Sequence, residues 1–430
     1  MKRTLMKIGA VAAASLLLCG ACSTANSQKS DGKQDKNTSA VEDKEEDLAR
    51  TNADLVIWCD NDRAPIVKKY ADEFAKKNGI TAAVQVSGDV RTQFATATKV
   101  GKGPDIVVGA HDWLGSFVQN GMVRPLNLSD ETISKFSKTA IDGARFEGKV
   151  YGLPYAIENI ALIRNKTLAP NAPETMDELV AVGKELVDSG KADRTLVQEV
   201  SKSGNAYYAY PYLSGFGGGI FAANDQGEFD PNNVIIDSEE SLKGAQLLAK
   251  LGSEGVLSTN ISGENADSLF ATGKVPFQIS GPWAVESAKK AGIDYEITPL
   301  PRVADSGRML PFVGVQLFYV SAHANNPSIA EEFVLDTLTR EDLQIELFNI
   351  GHRPPALTSA FDKVSASDKD IAAWFAASEG ALPMPNIPAM NSVWGPFGQA
   401  EADVISGTAD PVERFKAAAD EIRKVLRESK

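Results

Sequence analysis

An alternation of apolar runs and amphipathic segments begins near residue 54, and it constrains the fold more than any other feature of the chain. The runs 54–58, 82–87 and 105–110 are apolar, as buried strands are. The segments between them predict helices, and Gly79 is the expected C-cap of the first helix. A strand–helix–strand–helix–strand order is typical of an α/β fold, in which helices cover the faces of a parallel sheet.

The rest of the chain continues this alternation. Further strands are predicted at 158–166, 275–279 and 315–321, and further helices at 176–189, 239–253, 328–336, 340–348 and 410–428. The glycine-rich stretch 215–219 lacks GxGxxG spacing, so it predicts a turn and not a phosphate-binding loop.

Polar side chains collect where two of the first predicted strands end. Asp60, Asp62 and Arg63 follow the first strand, and the segment His111–Trp113 follows the third. In sheets of this type ligands bind at the carboxyl ends of the strands. These side chains are therefore the first candidates for a binding site.

Composition and residue counts exclude several classes of function. A net charge of −13 does not provide the basic surface that nucleic-acid binding requires. Of three cysteines only Cys59 lies beyond the N-terminal segment, and it is predicted to be a small buried hydrophobic residue. The three histidines are far apart and lack metal-site spacing, so no metal and no cofactor are expected.

The N-terminus has the pattern of a secretion signal. Basic residues precede an apolar run from about 8 to 18, and small residues then precede Cys22. The stretch resembles a bacterial lipoprotein signal, although Cys19 stands where a leucine is usual. That resemblance implies a signal peptide over 1–21 and lipidation of Cys22, which would place the protein on the extracellular face of the cell membrane. The alternative is an ordinary signal peptide, cut after Ala21 or Ala25.

Residues 22–52 are predicted to form a disordered tether. Apart from Cys22 the segment is almost entirely polar, with mixed charge and no aromatic residue, so it has too little apolar surface to offset its ordering entropy. A random coil of this length spans roughly 30 Å. Together with a lipid anchor, it would hold the globular part, residues 53–430, clear of the membrane.

Several ordered motifs in the globular part match one known family. They are LVIW at 55–58, GPDIVVGAHD at 103–112, NGMV at 120–123, LPYAIENIALIRNK at 153–166, ISGPWA at 279–284, PFVGV at 311–315, MPNIPAM at 384–390 and VWG at 393–395. Over nearly all of 53–430 the chain resembles the maltose/maltodextrin-binding proteins, the solute-binding components of ABC importers.

The resemblance implies a two-lobe, type II periplasmic-binding-protein fold with ligand in the cleft between the lobes. The chain would cross between lobes near 156–158, 311–316 and 355–362. The N-terminal lobe would comprise 53–157 and 316–358, and the C-terminal lobe 159–310 and 362–430. Closure of the lobes around ligand is the motion expected of such a hinge.

A sugar site needs aromatic faces for the C–H surfaces of the sugar and charged hydrogen-bonding groups for its hydroxyls. The resemblance assigns ligand binding to Asp62, Arg63, Asp112, Glu158, Tyr207, Trp283, Met384 and Trp394, and Asp60 and Trp113 are added as neighbours. Outside that context, an aspartate after a strand is usually a turn former or helix cap, and a tryptophan beside a proline is usually core.

The chain also departs from the family pattern. Arg63 replaces a lysine, and the family's own residues are also replaced at Gly109, Trp113, Asn205, Val285, Gly395 and Gly398. The loss of large side chains predicts a roomier cleft with Trp113 as a new wall, and hence a longer or branched α-glucan ligand.

The functional prediction is a binding protein and not an enzyme. It would bind malto-oligosaccharides as a monomer and deliver them to the permease subunits of an ABC transporter and its cytoplasmic ATPase, with membrane contact through the lipid anchor alone. Isomalto-, trehalose- and galacto-type sugars are alternatives, because the same aromatic and carboxylate groups serve them. A glycoside-acting enzyme using Asp60, Asp62, Asp112 or Glu158 is a further alternative, although no GxSxG motif is present.

Overall fold

The computed structural model describes residues 48–224, 229–303 and 306–428. The predicted signal peptide, Cys22 and the tether as far as residue 47 lie outside these residues. Within them, no helix is both long enough and apolar enough to cross a membrane.

The elements follow the predicted alternation. The strands are β1 Leu55–Cys59, β2 Ala82–Val86, β3 Ile106–Ala110, β4 Arg145–Phe146, β5 Lys149–Val150, β6 Gly152–Glu158, β7 Ala161–Asn165, β8 Val197–Gln198, β9 Phe221–Ala223, β10 Phe229–Val234, β11 Phe277–Ser280, β12 Tyr295–Thr298 and β13 Gly314–Val320. The helices are α1 Ala64–Asn78, α2 Val90–Lys99, α3 Leu114–Gln119, α4 Asp130–Ser134, α5 Lys138–Gly143, α6 Met176–Asp188, α7 Ala206–Ser214, α8 Glu239–Ser253, α9 Ala266–Ala271, α10 Val285–Lys290, α11 Pro327–Leu338, α12 Glu341–Gly351, α13 Thr358–Ser365, α14 Asp370–Ser378, α15 Trp394–Ile405 and α16 Pro411–Glu428. Short 3₁₀ turns lie at His111–Trp113, Pro282–Ala284 and Pro388–Ser392.

Helix α1 shows why local sequence predicts these elements well. Its apolar positions share one face, on which Val67, Tyr70 and Phe74 are buried. The helix ends at Gly79, whose φ of 67° lies in the left-handed region that glycine enters without steric cost. The predicted C-cap is therefore confirmed.

The five-stranded sheet has the order β2-β1-β3-β13-β6. β1 pairs in parallel with β2 and β3, as predicted. β13, however, runs antiparallel to both β3 and β6, so the sheet is mixed and not wholly parallel. The reason is that β13 enters the sheet from a distant part of the chain, and no local pattern specifies its direction.

The four-stranded sheet has the order β12-β7-β11-β8. The prediction of one strand over 158–166 is wrong, because the apolar run is divided between the sheets. β6 ends at Glu158 in the five-stranded sheet, and β7 begins at Ala161 in the four-stranded sheet. Asn159 and Ile160 carry the chain from one sheet to the other.

Each sheet has its own hydrophobic core. Residues between 55 and 157 and between 313 and 360 pack around the five-stranded sheet, which we call the first lobe. Residues between 160 and 312, with 384–422, pack around the four-stranded sheet, which we call the second lobe. The chain changes core between Ile157 and Ile160 and again between Phe312 and Val313. The residue limits drawn for the lobes from the resemblance stay a prediction.

The last residues assigned to the tether are in fact held on the first lobe. The Nη1 of Arg50 lies 2.5 Å from Oδ2 of Asp105, a carboxylate with no exposed surface. The same Oδ2 accepts the backbone N–H of Val56, and the backbone N–H of Leu48 donates to Gln93. The ordered part therefore includes residues 48–52, because Asp105 offers a buried carboxylate that needs a cationic partner.

Candidate functional site

Side chains from the two lobes meet across a cleft at the ends of the strands. Trp394 of the second lobe donates its Nε1–H to Oδ2 of Asp112 at 3.1 Å. Arg91 of the first lobe donates to Oδ1 of Asn391 at 3.0 Å. The structure thus brings together two predicted site residues, Asp112 and Trp394, from segments far apart in the chain.

Arg63 lies on the first-lobe side of the cleft, at the N-cap position of α1. Its Nε donates to the hydroxyl of Tyr155, its Nη1 pairs with Asp60, and its Nη2 donates to Oε1 of Gln316 at 3.1 Å. Only 8% of the residue is exposed. Every nitrogen of this guanidinium is thus occupied by protein, so Arg63 holds Asp60 and Gln316 in place.

Glu158 ends strand β6 beside this group. Its Oε1 accepts from Nε2 of Gln316 at 2.7 Å, and its Oε2 accepts from Nε of Arg353 at 2.5 Å. A side chain at Gly314 would press on Glu158, since an added Cβ would lie 2.8 Å from its Cγ. The carboxylate is therefore buried, paired and fixed in orientation, as a preorganised binding group should be.

Asp112 lies in the turn that follows β3 and is buried. Besides Trp394, it has Arg91 as a neighbour, whose Nη1 lies 3.5 Å from Oδ2. The adjacent His111 binds backbone groups instead. Its Nε2 bonds with the carbonyl of Met384, and its Nδ1 accepts the backbone N–H of Val315. Burial lowers the pKa of His111, so this histidine is a neutral structural group.

Trp113 and Trp283 are held in the same way in the two lobes. An added Cβ at Gly109 would lie 1.8 Å from the nearest ring atom of Trp113, and one at Gly281 would lie 2.2 Å from that of Trp283. Each indole therefore lies directly on a glycine near the end of a strand. Arginines lie over both rings: Arg91 is 5.9 Å from the centroid of Trp113, and Arg353 is 5.1 Å from that of Trp283.

A small cavity opens in front of Trp113. It has a volume of about 190 Å³ and is lined by Asp60, Arg63, Gly88, Asp89, Val90, Arg91, Val108, Gly109, Ala110, Trp113 and Gln316. Since water takes about 30 Å³ per molecule in the liquid, this space equals about six waters. That is room for a single small ring.

Tyr207 brings a hydroxyl to the cleft from helix α7 of the second lobe. Among the described residues this buried hydroxyl has no hydrogen-bond partner. Burial raises the pKa of Tyr207 well above its ordinary value, and the carboxylates of Glu158 and Asp112 act in the same direction. The phenol is therefore neutral and able to donate, and an unpaired buried donor is costly unless a partner arrives.

Two of the predicted residues are placed differently. Asp62 is exposed near the mouth of the cleft. The pKa of Asp267 in the second lobe is raised mainly by burial, and the charge of Asp62 adds a smaller effect in the same direction. Met384 contacts the site through its backbone, since its carbonyl binds Nε2 of His111. It is buried in the second core and lines, with His111 and Phe375, a separate cavity of about 820 Å³.

Sequence reasoning missed several residues that complete this network. They are Arg91, Tyr155, Gln316, Arg353 and Asn391. Gln316 offered one signal, since it is a polar residue inside the apolar run 315–321 and is 6% exposed. Such a residue in a central strand requires polar partners. No local pattern identified the other four.

The fold is that of a two-lobe α/β solute-binding protein, and side chains of both lobes meet at the cleft. Comparison with families of known proteins agrees: residues 69–377 match the bacterial extracellular solute-binding proteins. The chain belongs to that family.

Curated relatives cover most of the chain. A galactooligosaccharide-binding protein of Bacillus subtilis is 29% identical, over 86% of this chain and 88% of its own. A maltotriose-binding protein of Pyrococcus abyssi is 28% identical, over 79% and 75%. A maltodextrin-binding protein of Bacillus subtilis is 26% identical, over 99% of both chains. All three are named as binding proteins and not as enzymes.

Proposed function

We propose that this protein captures malto-oligosaccharides outside the cell and delivers them to an ABC importer. The observation that carries the proposal is the buried hydroxyl of Tyr207, which has no partner among the described residues. It lies within electrostatic range of Glu158, Arg353 and Asp112, in a cleft that also carries Trp283. These polar groups can form hydrogen bonds with the hydroxyls of a neutral sugar, and the indole can pack against the apolar face of its ring.

The charges of the cleft favour an uncharged ligand. Asp60 pairs with Arg63, Glu158 with Arg353, and Asp112 with Arg91. Each of these three carboxylates thus has a guanidinium beside it, so the three pairs together carry no net charge that would attract an ionic ligand. Charged groups that are already paired still offer strong hydrogen bonds to hydroxyls through their remaining lone pairs and N–H groups.

The same pairing supports binding without catalysis. A glycoside hydrolase needs one carboxyl that is protonated at working pH. Both oxygens of Asp60 and of Glu158 already accept hydrogen bonds from protein groups, so neither carboxyl is free to give a proton to a glycosidic oxygen. We expect any bound sugar to be recovered intact, and chromatography of the sugar after long incubation tests this.

Delivery requires a membrane partner and an anchor. We propose lipidation at Cys22, attachment to the extracellular face of the membrane, and docking of the closed monomer on the permease subunits of an importer with its ATPase. The described residues also show polar contact between the lobes at Asp112–Trp394, as closure requires.

Galacto-oligosaccharides are a second candidate ligand. The observation in their favour is the similarity to a galactooligosaccharide-binding protein at 29% identity over 86% of this chain. The rearrangement of Gly109 and Trp113 changes the first-lobe wall, so the orientation of hydroxyl partners there need not suit glucose.

Titration calorimetry on the secreted chain from residue 23 onwards tests the proposal. The panel is maltose, maltotriose to maltoheptaose, cyclodextrin, panose, isomaltose, trehalose and β-1,4-galactotriose. Binding that strengthens with α-1,4 chain length supports malto-oligosaccharides. Binding of the galactotriose alone supports the second candidate, and a silent panel contradicts both.

A further inference from the structure

The two arginines of the cleft floor use their hydrogen-bond donors differently. Arg63 donates from all three nitrogens, to Tyr155, Asp60 and Gln316. Arg353 donates from Nε to Glu158, and among the described residues its two terminal nitrogens have no acceptor. Since a guanidinium carries N–H donors on all three nitrogens, Arg353 keeps most of its donors for a ligand.

Arg353 is also placed where a ligand would meet it. Its guanidinium lies over the ring of Trp283 in the second lobe, 5.1 Å from the centroid. That distance is within the roughly 6 Å range of a cation–π contact, so a sugar that packs on this indole would also meet the guanidinium. Its side chain is 12% exposed, so it is largely desolvated but not fully enclosed by protein.

The backbone holds Arg353 firmly in this position. Pro354 restricts the preceding residue to extended conformations, and its carbonyl accepts the backbone N–H of Ile157 at 2.9 Å. Gly351, the last residue of α12, leaves space for the side chain: an added Cβ there would lie 2.8 Å from Nη1 of Arg353. The guanidinium is thus positioned by the hinge and not by a mobile loop.

We propose that Arg353 is a ligand-contacting residue, which donates charge-assisted hydrogen bonds to neighbouring hydroxyls of the sugar ring that packs on Trp283. Arg63, by contrast, is a positioning residue that holds the floor of the first lobe. The inference rests on the proposed function and adds a subsite to it. Because Glu158 balances the charge of Arg353, the sugar at this position is a neutral hexose and not a uronate.

The test compares Arg353→Lys with Arg63→Lys on the secreted chain, using the sugar that the wild type binds most tightly in the panel. Lysine keeps the positive charge beside the carboxylate but loses the planar fork. We expect Arg353→Lys to weaken binding at least tenfold with little change in the thermal midpoint without sugar. Arg63→Lys should instead lower that midpoint, because it loses contacts to Tyr155 and Gln316.

Gly351→Ala provides a matched variant that leaves Arg353 chemically unchanged and alters only its position. The added methyl displaces the tip of a flexible side chain, so we expect weaker binding with the fold intact. In an Arg353→Lys background the same change should add no further loss, since its effect passes through Arg353. Wild-type affinity in Arg353→Lys would overturn this inference alone, whereas a wild type that binds no sugar would overturn the proposed function with it.

Discussion

The indole N–H of Trp394 donates to Oδ2 of Asp112 across 3.1 Å, and this bond joins the two lobes. Arg91 strengthens the connection, since it lies 3.5 Å from the same carboxylate oxygen and donates to Asn391 of the second lobe. Groups assigned to sugar binding therefore also bind one another. We therefore expect a sugar that enters between them to exchange these contacts for its own, which would couple the affinity to the strength of the lobe–lobe bond.

Trp394→Phe tests this coupling, because it keeps an apolar ring but removes the N–H. Asp112 is 4% exposed, and a buried acceptor that loses a donor costs about 1 kcal/mol or more. We expect a less closed chain, with a larger radius of gyration in X-ray scattering without sugar. Identical scattering curves for variant and wild type would argue against a role of this bond in closure.

Trp283→Ala should weaken sugar binding at least tenfold. Aromatic pairs contribute about 0.5–1.5 kcal/mol beyond buried area, and each 1.4 kcal/mol is a factor of about ten in affinity. Calorimetry gives the loss, and the far-UV circular dichroism should be unchanged, since Trp283 is only partly buried. Trp283→Phe is the control and should keep part of the affinity; an unchanged affinity in the alanine variant would remove Trp283 from the site.

Gly109→Ala should displace Trp113 from its position. Three ring atoms lie 1.8, 2.1 and 2.5 Å from where the new Cβ would stand, so the indole cannot stay. We expect weaker sugar binding, comparable to that of Trp113→Ala, and a shift in tryptophan fluorescence. Gly395→Ala is the matched control, because nothing lies within 4 Å of its added Cβ. If Gly109→Ala and Trp113→Ala both bind sugar like wild type, the ligand does not touch Trp113.

Glu401→Gln should change how stability depends on pH. Glu401 has no exposed surface, and burial raises its pKa well above the ordinary value. An acid whose pKa is raised by folding binds more protons in the folded state than in the unfolded state. The contribution of Glu401 to stability therefore falls as pH rises from the unfolded-state pKa of about 4.3 toward the folded-state pKa. Glutamine does not titrate, so the variant should gain stability relative to wild type with rising pH.

Urea unfolding at pH 4.5, 6.0 and 7.5 measures that difference. The backbone N–H of Asn205 donates to Oε2 of Glu401, and the amide oxygen of glutamine can accept it equally well. A constant difference between variant and wild type over this range would mean that Glu401 is already ionised in the fold.

Local sequence determined the elements and the types of residue at the site. Helix α1 with its cap at Gly79 could be placed from periodicity alone, because its apolar face depends only on neighbours in the chain. Asp112, Trp283 and Trp394 could be proposed because the motifs that contain them resemble those of a known family. The sequence could not show that 158–166 belongs to two sheets, because an apolar run has the same pattern in either.

The tertiary structure decided which partners these side chains have within the protein. Arg63 was predicted to bind ligand, and its three nitrogens donate to protein groups as distant in sequence as Gln316, 253 positions away. Arg353 had no motif, yet the fold brings it to Glu158, 195 positions away, and its terminal nitrogens have no acceptor among the residues that the structure describes. The physical reason is that secondary structure follows from a short stretch of sequence, whereas the partners of a buried charge come from whichever segments the fold packs against it.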